Sequence, residues 1–104
     1  MGQQSGAADD AVYEAAKRAV IQQLKDPNSA QFGPLERQTR PNVRGEPMDV
    51  VCGKVNARNS YGGYAGMSGF VYFVGDQSVY FADGSGPVPG LGSTVYYRFC
   101  GITP

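Results

Sequence analysis

The side chains best suited to chemistry or recognition in this 104-residue chain are two cysteines, Cys52 and Cys100, and a cluster of tyrosine, asparagine and glycine between residues 56 and 66. The cysteines are too far apart for the CxxC spacing of a redox pair or a zinc knuckle. Each ends an apolar, strand-like run, Val50-Val51-Cys52 and Tyr96-Tyr97-Arg98-Phe99-Cys100. The expectation is a disulfide that ties the C-terminal run to a central one, a staple from which a small glycine-rich domain gains most. The alternative is a pair of buried free thiols in a cytosolic domain.

Within the second cluster, Asn56, Asn59, Tyr61 and Tyr64 are the candidate binding residues. Tyrosine offers stiff amphipathic contact area, and asparagine offers hydrogen bonds, as adaptable recognition surfaces require. Turn chemistry accounts for the same residue types: glycine and asparagine tolerate left-handed backbone, and tyrosine packs over a sheet edge. The segment therefore reads either as a recognition loop or as a shaped turn.

Little else points to catalysis. The chain has no histidine, which removes the commonest general base and the commonest metal ligand. A cysteine nucleophile would lack its usual activator. The nine acids fall mostly at the helix start and in turns, where capping explains them. Gly84-Ser85-Gly86 is not followed by the lysine of a phosphate loop. The expectation is a protein that is not an enzyme, with no cofactor and no metal site. Nine basic residues balance nine acidic ones, which argues against a nucleic-acid partner. Arg37, Arg40, Arg44, Lys54 and Arg58 make residues 36–58 locally basic, but Glu36, Glu46 and Asp49 leave a net of only +2, so an ordinary solvated face is the expectation.

These residues need elements to position them. Residues 9–25 contain no glycine or proline, and Val12, Tyr13, Ala16, Ala19, Val20 and Leu24 recur at helical spacing. Asp9 and Asp10 suit a helix N-terminus, and Pro27 ends the segment. The pattern then changes. Residues 35–39 read as a short edge strand and 40–47 as a loop. Residues 48–57 read as a strand with a bulge at Gly53, and 70–74 as the strongest strand. Residues 75–77 turn into a strand at 78–82, and 94–100 close the chain as a last strand. Val51, Val55, Val71, Phe73, Val79, Phe81, Val95, Tyr97 and Phe99 share alternating parity and form the expected inward set. The predicted fold class is α+β, one N-terminal helix packed on a four- to five-stranded antiparallel sheet with a disulfide staple. Residues 1–8 are expected to be a flexible tether and 9–104 a single domain. No stretch is apolar for long enough to span a bilayer.

Two stretches together resemble a group of small bacterial and phage-associated proteins. One is Leu24-Lys25-Asp26-Pro27-Asn28-Ser29-Ala30-Gln31-Phe32, an LKDPxSAxF pattern. The other runs from Cys52-Gly53-Lys54-Val55-Asn56 through Asn59 and Gly62-Gly63-Tyr64-Ala65-Gly66, a CGxVNxxNxxGGYxG pattern. Many members look like exported proteins or lipoproteins, so the resemblance implies a periplasmic or membrane-anchored location, with the cytoplasm as the alternative. It implies no activity. The polar opening Met1-Gly2-Gln3-Gln4-Ser5-Gly6 fits a chain that begins just after a cleaved signal or a lipidated cysteine. The functional expectation is a non-catalytic envelope protein that meets a protein partner through segment 56–66, touching the membrane only through a lipid anchor. The alternatives are an inhibitor, immunity or exclusion protein acting on a secreted or cell-wall enzyme, and a structural subunit of an envelope assembly.

Overall fold

The computed structural model describes residues 5–57, 66–84 and 90–101. Helix α1 (Ser5–Ile21) is followed by a 3-10 turn (Pro27–Ser29), strands β1 (Gln31–Phe32), β2 (Glu36–Pro41), β3 (Pro47–Asn56), β4 (Ser68–Phe73) and β5 (Ser78–Phe81), and helix α2 (Gly92–Cys100). The strands make one antiparallel sheet, ordered β1-β3-β4-β5, with β2 pairing β3 on the same side as β1. The α+β class, the N-terminal helix and the antiparallel sheet are as the sequence predicts.

Helix α1 starts and stops about four residues before its predicted bounds. At its C-terminus the amides of Gln23 and Leu24 donate three residues back, to the carbonyls of Val20 and Ile21. The last turn tightens before Pro27 and is no longer α-helical. Asp9 and Asp10 lie inside the helix and not at its cap.

The larger difference is at the C-terminus, where the expected strand 94–100 is helix α2. The pattern Val95, Tyr97, Phe99 alternates like a strand, but Gly92, Tyr96, Phe99 and Cys100 also fall at helical spacing. Tertiary context decides between the two. Strand β3 carries a continuous buried run from Val50 to Gly53, and β4 is buried from Gly69 to Phe73. Such strands need cover on both faces. Helix α1 covers one face, with Ala16 packed among Val51 and Tyr72, and Val20 among Val55, Phe70, Val79 and Phe81. Helix α2 covers the other, with Phe99 and Cys100 packed on Val50, Cys52, Val71 and Phe73. The expected inward set therefore divides between the two faces: Val51, Val55, Val79 and Phe81 face α1, whereas Val71 and Phe73 face α2. Tyr97 leaves the core altogether and is 63% exposed.

Gly53 is not a bulge, since the β3–β4 register runs through it without a break, Cys52↔Val71 then Gly53↔Phe70. Its lack of a side chain makes room for a ring. A Cβ at position 53 would stand 2.8 Å from Phe70 Cζ and 3.1 Å from Leu35 Cγ. Gly69 plays the same part on the opposite face, beneath the ring of Tyr96. The β4–β5 connection turns through Gln77, at a left-handed φ of 59°, and the amide of Gln77 donates to the Phe73 carbonyl.

Candidate recognition surface

The disulfide is formed. Cys52 on the α2-facing side of β3 bonds to Cys100 in the last turn of α2, with Cα atoms 5.6 Å apart. Both residues are buried. The bond pins a nine-residue helix, too short to hold itself, to the middle strand of the sheet.

Asn56 ends β3 and opposes Gln31 of β1. Its side-chain amide works in two directions. Nδ2 donates to Gln31 Oε1 at 3.4 Å, and Oδ1 accepts from the backbone N–H of Gly66 at 3.1 Å. Gly66 sits at φ +99°, where a side chain would be strained. One side chain thereby joins the end of β3 to the residue that leads back into β4, and closes the base of the intervening segment. Around this base lie the exposed Lys54 and Met67, the latter 51% exposed. Phe32 stands edge-on to Phe70, with ring centroids 6.1 Å apart, and carries the Lys17 ammonium 5.8 Å above its ring. Of the four candidate binding residues, the structure places Asn56; Asn59, Tyr61 and Tyr64 lie outside the described residues.

No family model matches the chain, and neither does any curated protein or solved structure.

One ionic site escaped the reading of the sequence. Arg37 of β2 donates from Nε and Nη2 to the two oxygens of Asp49 at 2.9 and 2.6 Å, and from Nη1 to Asp9 of α1 at 2.9 Å. Its backbone N–H donates to the Tyr13 hydroxyl at 3.1 Å. The hydrogen bonds it donates to Asp49 and then to Asp9 hold the guanidinium above its ordinary pKa, and the Arg37 hydrogen bond holds Asp49 below its own. All three guanidinium nitrogens are engaged, so the group clamps α1, β2 and β3 together. Beside it runs an open groove of about 540 Å³ lined by Asp9, Arg37, Gln38, Thr39, Pro47 and Asp49. A signal for this clamp was present. Pro41 and Pro47 flank residue 44 symmetrically, and a hairpin centred there makes Arg37 and Asp49 diagonal neighbours on one face.

The clamp also settles the basic stretch 36–58. Arg37 is neutralised on the face towards α1. Arg40, three positions further along β2, faces the other way and donates from Nε to Gln38 Oε1 at 2.8 Å. Lys54 lies near the opposite end of β3. Among the described residues, Arg37, Arg40 and Lys54 thus form no single stripe, and Arg58 lies outside the described residues.

On the other face, burial and then the neighbouring Tyr97 push the Tyr96 phenol above its ordinary pKa. The two rings meet edge-on, with centroids 5.1 Å apart.

Proposed function

We propose that this chain is a non-catalytic binding protein of the bacterial envelope that recognises a protein partner through the tyrosine-, asparagine- and glycine-containing segment 56–66. The observation that carries the reading is the Asn56 side chain, which joins Gln31 to the Gly66 amide and so fixes both ends of that segment at one end of the sheet. A segment anchored at its base loses less entropy on binding than a free one. Tyrosines carried on it supply area that is apolar at the ring and polar at the tip. The buried disulfide supports an exported chain, because such bonds persist in oxidising compartments. The resemblance of the LKDPxSAxF and CGxVNxxNxxGGYxG stretches to exported and lipoprotein-type sequences supports the same location.

The test is capture of partners from envelope extract by the oxidised domain, beside a Tyr61→Ala/Tyr64→Ala variant. The variant is expected to keep its melting temperature and to lose roughly thirtyfold or more in affinity for the captured partner, as truncated aromatic anchors do. A variant that folds normally and binds unchanged would end this reading. So would a core-like loss of stability, roughly 3–5 kcal/mol, which would show that the tyrosines serve the fold.

A further inference from the structure

Strand β2 forms one edge of the sheet, and its hydrogen bonds to β3 decide which of its residues turn outward. The Asn42 amide donates to the Glu46 carbonyl at 2.9 Å. On the far side of β3, the Asp49 carbonyl accepts from the Val74 amide at 3.0 Å, so Asp49 bonds towards β4 and not towards Thr39. The ladder alternates from there. Gln38 and Arg40 bond to β3, while Arg37, Thr39 and Pro41 point their backbone groups away from the sheet.

No two successive outward donors of β2 are free. Pro41 has no N–H. The Arg37 N–H is taken by the Tyr13 hydroxyl, whose oxygen stands 3.1 Å away, where the carbonyl of an added strand would stand. Between them Thr39 is exposed, and its N–H has no partner among the described residues. The opposite edge of the sheet is closed by cover instead. The Ala82 amide donates to the Gly69 carbonyl at 2.8 Å, which turns Val79 and Phe81 outward on β5, and these are only 4% and 6% exposed. Strand β2 lacks such cover, and an exposed edge is a template for another strand. Helix α1 supplies the remedy. The Tyr13 ring packs beside Ala16, Val51 and Tyr72. One turn earlier, Asp9 accepts from the Arg37 guanidinium at 2.9 Å. Two side chains of α1 thus hold one residue of β2, and the hydroxyl is kept over the amide.

We propose that Tyr13 is a latch on this edge: together with Pro41, it keeps β2 from pairing with β2 of a second copy of the chain. Antiparallel pairing about a two-fold axis at Thr39 would set Thr39 opposite its mate and Arg37 opposite position 41. The Thr39 pair would make both of its bonds. Each flanking pair would make neither, because one donor is a proline and the other is held by Tyr13. A single bonded pair does not offset the cost of bringing two chains together. The latch does not depend on the reading of segment 56–66, which leaves the sheet at the other end of β3.

Amide exchange and sedimentation of the oxidised full chain test the proposal. In the parent, the Arg37 amide should exchange slowly and the Thr39 amide fast. Tyr13→Phe keeps the ring and removes the hydroxyl. It should speed exchange at Arg37 roughly tenfold or more, while β3 and β4 keep their protection. Unchanged exchange at Arg37 overturns the latch. Tyr13→Leu/Pro41→Thr restores both donors and leaves apolar bulk beside Tyr72. Between micromolar and roughly millimolar concentration it should dimerise, with the amides of residues 37, 39 and 41 protected in the dimer. The parent should gain no protection at Thr39 over the same range. A folded double variant that stays monomeric overturns the proposal. So does a dimer that leaves those three amides exposed, or a parent chain that protects Thr39 on concentration. Tyr13→Phe/Pro41→Thr, closer to the parent core, is read by the same outcomes if the leucine variant does not fold.

Discussion

Replacing both Cys52 and Cys100 by alanine tests how far this small domain depends on its staple. The bond spans 48 positions of chain. In the loop-entropy treatment, closing a loop of that length restricts the unfolded ensemble by about 14 cal/mol/K, or about 4 kcal/mol at 25 °C. Small domains are stable by only about 5–15 kcal/mol in all, so the loss takes a large share. It corresponds to roughly 15–30 °C in melting temperature for a domain of this size. The tertiary setting adds a local prediction. Without the bond α2 is held by Phe99, Tyr96 and their neighbours alone, and nine residues fall short of an independently stable helix. Urea unfolding of the oxidised parent, the reduced parent and the double variant measures the global term. Amide hydrogen exchange resolved along the chain measures the local one, with α2 expected to lose protection before β3 and β4. A double variant within about 1 kcal/mol of the oxidised parent would refute the entropic argument. Equal loss of protection in α2 and in the central strands would refute the local one.

Other perturbations follow from the same geometry. Gly53→Ala should cost roughly 1–3 kcal/mol in urea unfolding, because the Phe70 ring it would strike is fully buried and has nowhere to go. Gly69→Ala should cost less, because Tyr96 is only half-buried and its ring can swing outward. Asp49→Asn should lower stability at neutral pH by about 1 kcal/mol, a value kept small because the pair is over a third exposed on the carboxylate side. The folded Asp49 titrates below its unfolded value. The clamp's contribution is therefore fully present above the ordinary carboxylate pKa and is lost as pH falls through the folded one. The acid limb of the stability curve should flatten in Asp49→Asn, and an unchanged limb would remove Asp49 from the account.

The legible parts of this molecule were those in which neighbouring residues act together. Residues 9–25 lack glycine and proline and repeat apolar residues at three and four, so a helix follows from local spacing alone. Val50 to Val55 and Phe70 to Phe73 are strands by their own composition. The disulfide was readable because two cysteines ended two apolar runs in a chain too small to rely on its core alone. The base of segment 56–66 was legible as residue types but not as geometry, since Asn56 finds Gln31 and Gly66 only once β1, β3 and β4 have paired.

What the sequence by itself determined was therefore the first helix, the central strands, the cysteine pair and the α+β class, because each rests on propensity and periodicity over a few adjacent residues. Tertiary structure alone decided the rest. Residues 92–100 satisfy both a two-residue and a three-to-four-residue period, and they became a helix because the bare second face of β3 and β4 had to be covered. Arg37 was one of five scattered positive charges until the hairpin register set it beside Asp49 and α1 brought Asp9 across. The division of the apolar set between the two faces likewise depends on register, because each strand pairing decides which parity faces which helix.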